Sequence, residues 1–192
     1  DTRVTKKLLN HFGIKNNLIS YNNYNENKKY EYLLDILKSN KDVAIVSDAG
    51  TPCISDPGYK IVNAANILGF NVITVPGPSS VIAALSISGL PSDSFYFQGF
   101  LPKRKGRTKR MNYLKELDCT VIIFESPKRL IKTLNDIFLI LGNRVVSLCK
   151  ELTKLHENVT FGYLEDIIKD IDTGIRGEYV ILVAKEKYNI DE

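Results

Sequence analysis

Apolar and polar positions along the chain switch repeatedly between two periods. Helix-like spacing covers Thr2 to His11, Glu26 to Ser39, Pro57 to Leu68 and Pro78 to Ser86, with short strand-like apolar runs between them at Leu18 to Tyr21, Val43 to Val46 and Val72 to Val75. The alternation resumes after Gly89 as strand Phe95 to Gln98, helix Arg107 to Leu117, strand Thr120 to Phe124 and helix Pro127 to Leu141. It closes with strand Val145 to Leu148, helix Leu164 to Ile171 and strand Tyr179 to Ala184. Strands alternating with helices through short turns predict an α/β fold with a mainly parallel sheet. Gly89-Leu90-Pro91-Ser92-Asp93-Ser94 breaks the rhythm, so two small α/β domains are expected, residues 1–92 and 93–192. Domains this small bury surface against one another, which favours a ligand site in the cleft between them. Asp1-Thr2-Arg3 leads straight into the first helical pattern, so the first domain is expected to begin partway through its own fold.

Composition narrows the class without naming a function. The 192 residues are 44% hydrophobic and 25% charged, with a formal charge of +4, ordinary values for a globular chain and no nucleic-acid signature in themselves. Cys53, Cys119 and Cys149 are odd in number and widely spaced, proposing neither a disulfide framework nor a metal site and pointing to a reducing, cytoplasmic setting. No apolar run approaches the roughly 18 to 20 residues of a membrane span, and no secretory leader is visible. His11 and His156 lack partners at metal-ligand spacing, so no metal is expected.

Two strand ends carry candidate chemistry. Val43-Ala44-Ile45-Val46 runs into a long loop, Ser47 to Gly58, in which Gly50 permits close approach of a ligand and Asp56-Pro57 reads as an N-cap with the favoured first helical residue. Asp48 could accept from an ammonium group or sit near a cationic sulfonium. Val72 to Val75 is followed by Pro76-Gly77-Pro78-Ser79-Ser80, another helix start with hydroxyls and amides on offer. Each alone is equally an ordinary capped turn, but two such ends in one sheet can build a single pocket. The cluster Lys103-Arg104-Lys105-Gly106-Arg107-Thr108-Lys109-Arg110 opens a helix, where cations oppose the helix dipole by roughly 0.3 to 1 kcal/mol each. Something other than helix stability is expected to keep them there: RNA phosphate, or solvation alone.

The runs Ser47 to Gly58, Val75 to Ser79, Gly99-Phe100-Leu101-Pro102, Glu125-Ser126-Pro127-Lys128-Arg129-Leu130 and Glu151-Leu152-Thr153-Lys154, in this order and spacing, closely resemble the ribosomal RNA small subunit methyltransferase I family, a branch of the tetrapyrrole methylases. The resemblance implies two α/β domains with S-adenosylmethionine bound in the cleft between them. It implies methyl transfer to a cytidine ribose 2′-hydroxyl in 16S RNA of the small ribosomal subunit, and a homodimer. On matching positions the cofactor would draw on Asp48, Gly50, Thr51, Ser55, Asp56, Pro57, Gly77, Ser79, Phe100 and Pro102; the basic cluster is the RNA-binding candidate, through Lys103, Arg104, Lys105, Arg107, Lys109 and Arg110. Lys128 replaces the family's usual histidine and Lys150 its usual arginine, both keeping or adding positive charge. Family members carry a first strand ahead of Asp-Thr-Arg, so the resemblance implies a first sheet with an open edge and part of the substrate-side wall missing. They also usually extend further beyond Gly177-Glu178-Tyr179-Val180.

In-line attack on a sulfonium methyl needs positioning above all, and a weakly nucleophilic hydroxyl gains from a base or a nearby cation. The family match nominates Glu151 or Asp1 as base and Arg3, Lys150 or Lys154 as electrostatic partner. For Glu125, Arg129, Glu151 and Lys154, salt bridging or helix capping stays an equal alternative. Phosphate-transfer chemistry is disfavoured, because no Gly-x-x-x-x-Gly-Lys-Ser/Thr run exists. A small-molecule tetrapyrrole or corrin methylase and a non-catalytic RNA-binding fragment remain as rivals.

Overall fold

The computed structural model describes residues 1–171 and 174–190; residues 172, 173, 191 and 192 of the expected second domain lie outside them. The chain divides into two compact units, Asp1–Ser79 and Ser80–Glu192.

The first unit holds α1 (Thr2–His11), α2 (Glu26–Lys38) and α3 (Tyr59–Ile67). Asp1 caps α1, its carboxylate accepting from the Arg3 amide at 2.9 Å. Leu33 and Leu34 of α2 meet Ile61 and Ala64 of α3 in a small core, against which Ile19, Tyr21, Val43 and Ile45 pack. The three expected strands do not form: residues 18–21, 43–46 and 72–75 carry no ladder. Val43 and Ile45 still turn inward while Ala44 and Val46 stay exposed, so the two-residue period holds without the pairing. Along 72–75 every side chain is exposed, Ile73 by 77% and Val75 by 84%. β-branched composition favours an extended backbone, but a strand exists only where a second backbone lies alongside in register, and none does here.

The second unit contains α4 (Ser80–Ile87), β1 (Phe95–Phe100), α5 (Arg107–Lys115), β2 (Thr120–Glu125), a 3₁₀ turn at Pro127–Arg129, α6 (Leu130–Leu141), β3 (Val145–Lys150), β4 (Asn158–Tyr163), α7 (Leu164–Asp170) and β5 (Tyr179–Val183). They form one sheet in the order β1-β2-β5-β3-β4. Only β1 and β2 pair in parallel; the other three ladders are antiparallel, which corrects the expectation of a mainly parallel sheet. The βαβ alternation was a sound local signal, since β1, β2 and β3 do run the same way. β5 then enters between β2 and β3 in the opposite sense, and β4 folds back on β3. The β4 segment, Asn-Val-Thr-Phe-Gly-Tyr, had no place among the expected strands because a polar stretch precedes it and Gly162 interrupts it.

Alternation along the strands sorts the core into two layers. Val121, Ile123, Val146, Leu148, Ile181 and Val183 face the helices α5, α6 and α7, while Ile122, Val145, Cys149, Val180 and Leu182 face α4. Register keeps the sorting, pairing Ile122 with Leu182 and Ile123 with Ile181. Val81, Ala84 and Leu85 of α4 and the following Leu90 belong to this core, so the compact units part after Ser79, ahead of the expected boundary at residue 92. On α6, Leu130, Leu134, Ile137 and Leu141 recur at helical spacing and are buried. Leu134→Ala is therefore expected to cost about 2–5 kcal/mol of stability, read as a lower urea midpoint at unchanged slope.

Candidate functional site

In the first unit the two loops expected to form a pocket do adjoin. The Thr51 hydroxyl donates to the Pro78 carbonyl at 2.9 Å, and a Cβ on Gly50 would meet the same oxygen at 3.9 Å. The loop from Ser47 to Gly58 curls tightly: Gly50, Cys53, Ser55 and Gly58 all have positive φ, and the Ser47 hydroxyl donates to the Ala49 carbonyl at 2.7 Å. Non-glycine residues in the left-handed region cost of order 1 kcal/mol or more, so Cys53 and Ser55 place backbone strain in this loop. Gly58 is favoured by its positive φ, and a Cβ there would collide with the Cys53 sulfur. It also stands at the cap of α3, so the helix begins two residues later than the expected Asp56-Pro57 start. Pro78 likewise precedes its helix, which opens at Ser80.

Glu26, absent from the sequence-level candidates, fixes the end of this loop. Its carboxylate accepts from the Tyr21 hydroxyl at 3.1 Å and the Gly58 amide at 3.4 Å, and pairs with Lys60 at 3.2 Å. Burial pushes its pKa up, but the hydrogen bonds from Lys60, Tyr21 and Gly58 outweigh that and hold it below the usual value. Burial and the Glu26 carboxylate in turn push the Tyr21 phenol well up.

The loop's polar surface is acidic. Asp48 is exposed, with its carboxylate 2.8 Å from the Asp1 backbone nitrogen, while the Asp1 carboxylate grips the Arg3 guanidinium at 2.5–3.1 Å, so Asp1, Arg3 and Asp48 lie close together. Asp56 is exposed as a residue, yet partial desolvation of its carboxyl and then the charge of Asp48 raise its pKa, against a hydrogen bond from Ser47. Two carboxylates that repel one another in a curled loop are relieved by a nearby cation. Ser55 and Gly77 are exposed, and Pro57 and Ser79 half-buried, along the same two loops.

In the second unit, Phe100 and Pro102 sit at the end of β1. Phe100 is 54% exposed and packs edge-on against Phe124, with ring centroids 5.7 Å apart. The backbone behind it is pinned by two arginines: Arg129 donates to the Leu101 carbonyl at 2.8 Å and Arg107 to the Pro102 carbonyl at 3.2 Å. Both belong to one buried network. Glu125, with its side chain fully enclosed, accepts from the Thr133 hydroxyl at 2.6 Å and the Ser126 amide at 2.7 Å and pairs with Arg129 at 3.2 Å. Arg107 donates to Thr133 at 2.8 Å and to Asp136 at 2.8 Å. Thr133 and Asp136 carried no sequence signal, because a lone polar residue on an apolar helix face looks like a solvent-facing one. Arg107, expected at an RNA surface, is buried and fully engaged here, which removes it from that set. Lys103, Arg104, Lys105, Lys109 and Arg110 remain exposed.

Lys150 ends β3, half-buried, and Glu151 and Thr153 follow with positive φ. Glu151 accepts from Lys154 at 3.0 Å and from the Glu178 amide at 2.8 Å; these bonds and the nearby charges hold it below the usual carboxylate range. A Cβ on Gly177 would come within 2.8 Å of that carboxylate, so glycine is required there. Lys154 also reaches Glu178 at 2.8 Å, and its partners raise its pKa. Among the described residues no group of three side chains could hold a metal ion, and no helix is long and apolar enough to cross a membrane.

This mixed α/β architecture is that of a methylase fold. The family model for tetrapyrrole (corrin/porphyrin) methylases matches residues 1–168. Among solved structures, diphthine synthase superposes with a TM-score of 0.70 at 16% identity, covering 93% of this chain and 73% of that one. Uroporphyrin-III C-methyltransferase from Thermus thermophilus, complexed with S-adenosylhomocysteine, gives 0.55 at 19% identity over 82% of this chain and 72% of that one. The ribosomal RNA small subunit methyltransferase I of Halalkalibacterium halodurans is 46% identical over 185 residues, 95% of this chain and 64% of the relative. That of Thermotoga maritima is 44% identical over 172 residues, 90% of this chain and 78% of the relative. The chain belongs to the ribosomal RNA small subunit methyltransferase I family of tetrapyrrole methylases, and it spans about two thirds of the length of the first of these relatives.

Two outcomes follow from the geometry. Thr133→Val leaves Glu125 and Arg107 each short of a buried partner and is expected to cost about 1–3 kcal/mol by urea unfolding. For Asp56, a folded pKa raised above the unfolded one means stability falls as pH rises through that interval. Asp56→Asn is therefore expected to raise the melting midpoint slightly at neutral pH, with the gain vanishing as pH is lowered to the ordinary aspartate range.

Proposed function

We propose that the chain is the cofactor-binding and methyl-transferring part of an enzyme that methylates RNA of the small ribosomal subunit, at the 2′-hydroxyl of a cytidine ribose in 16S RNA. The observation that carries this reading is the identity of 44–46% to ribosomal RNA small subunit methyltransferases I over at least 90% of the chain. It is supported by the joined, acidic loops of the first unit, and it ranks the RNA substrate above a small-molecule tetrapyrrole.

S-adenosylmethionine, when bound, supplies an electrophilic methyl group on a sulfonium. The carboxylates of Asp48 and Asp56 hold the cationic ligand, Gly50 and Gly77 let it approach the backbone, and the Thr51–Pro78 bond keeps the two loops at a fixed separation. In the second unit Phe100 is backed by Phe124 and by the arginine-pinned backbone, so its exposed ring is rigidly held. Neither nominated base is free: Asp1 is committed to Arg3, and Glu151 to Lys154 and the Glu178 amide. A carboxylate held below its usual pKa is a weak proton acceptor, so Glu151 serves better as a pin that orients the residue before it. Lys150, which has no carboxylate partner among the described residues, is then the cation left to lower the hydroxyl's pKa.

Calorimetric titration with S-adenosylmethionine is expected to show binding, weakened in Asp56→Asn, while ATP gives no heat of binding. Tight ATP binding with no response to the methyl donor would overturn the reading. Methylation of assembled small ribosomal subunits, mapped by nucleotide, then tests the substrate.

A further inference from the structure

The cations of residues 103–110 do not all behave alike. From Phe95 to Lys115 the sequence has seven Lys and Arg and no Asp or Glu. Arg107 turns inward, in line with the buried Met111 and Leu114 of α5. Lys109, Arg110 and Tyr113 are exposed on α5 away from that buried line, and Lys103, Arg104 and Lys105 are exposed in the segment leading into it. No carboxylate among the described residues pairs with any of these five cations. α5 has no acidic residue in its first turn and a glycine, Gly106, at its cap, so the helix gains nothing from the charges gathered there.

The same face carries an ordered aromatic cluster. The Arg110 guanidinium carbon lies 5.5 Å from the Tyr113 ring centroid, and Arg110 donates to the Tyr96 hydroxyl at 3.3 Å. Tyr96 and Tyr113 meet edge to face at 5.8 Å. Tyr113 is thereby held in place while 47% of its surface stays open. A merely solvated basic face has no use for a fixed, half-exposed aromatic. Charge complementarity selects a polyanion, and the ring selects one that can present a flat π-face, which is an unpaired base. Bases of a duplex are closed in their stack and cannot reach it.

We propose that Tyr113, with Arg110 and Tyr96, is a stacking platform for an unpaired base of single-stranded RNA, whose flanking phosphates are taken by Lys109 and by Lys103 to Lys105. This rests on the RNA reading above and adds to it both the single-stranded preference and two residues outside the basic run, Tyr96 and Tyr113.

The test is fluorescence anisotropy of the whole chain with a labelled single-stranded RNA of about 12 nucleotides, within the usual site size of such grooves, and with a duplex of equal length. Expected is tighter binding of the single strand, with Tyr113→Ala and Tyr113→Leu each weakening it roughly 5- to 100-fold. Tyr113→Phe should restore it, and the salt dependence should be unchanged because no phosphate contact is lost. Lys105→Ala should instead lower the salt slope by about 0.7. Equal affinity for duplex and single strand, full binding by Tyr113→Leu, or displacement by polyglutamate as effective as by unlabelled RNA would each overturn the stacking platform. Wild-type affinity in Tyr113→Ala alongside a loss in Lys105→Ala would overturn it while leaving the RNA reading standing. No binding of RNA by the unaltered chain would overturn both, with cofactor calorimetry still reporting separately on the methylase reading.

Discussion

Glu125 sits at the carboxyl end of the interior strand β2 with its side chain enclosed, and a carboxylate so placed is tolerable only if its oxygens are fully engaged. Thr133, Ser126 and Arg129 engage them, and through Thr133 the network extends to Arg107 and Asp136. This one constraint fixes four things together: the turn after β2, the start of α5, the face α6 turns to the sheet, and the backbone at Leu101 and Pro102. An apolar cluster of equal volume could hold the helices to the sheet. It could not aim two guanidinium groups at two particular carbonyls, and that is how Phe100 comes to be presented on a rigid support.

The same network explains a division of labour among cations that are neighbours in sequence. Arg107 is planar and can bridge Thr133, Asp136 and the Pro102 carbonyl simultaneously, so it is drawn inside. The lysines on either side have no such fork and stay at the surface. Helical periodicity then carries Arg110 and Tyr113 outward together, where Tyr96 orders them.

In the first unit order is achieved differently. Its extended segments lack ladders, and the loop from Ser47 to Gly58 is held instead by point contacts: Glu26 to the Gly58 amide, Thr51 to the Pro78 carbonyl, and the close fit of Gly58 against Cys53. Left-handed backbone at Cys53 and Ser55 and mutual repulsion between Asp48 and Asp56 work against the loop's stability.

The sequence by itself determined the helices to within about three residues at each end, the strands from Phe95 onward except β4, and the ordered motifs that led to the family. These rest on local periodicity and on residue types at fixed spacing, which a linear reading sees directly. Only the tertiary structure decided strand direction in the sheet, because β5 pairs with partners about 30 and 60 residues away, and no local pattern specifies which strand it will enter between. It also decided where the compact units part, since α4 is assigned by what it packs against, and that Arg107 is internal while Arg110 is not. The three extended segments of the first unit make the same point from the other side: alternation and β-branching were legible at Val43 to Val46, but a ladder is a property of two backbones, and one stretch of sequence describes only one of them.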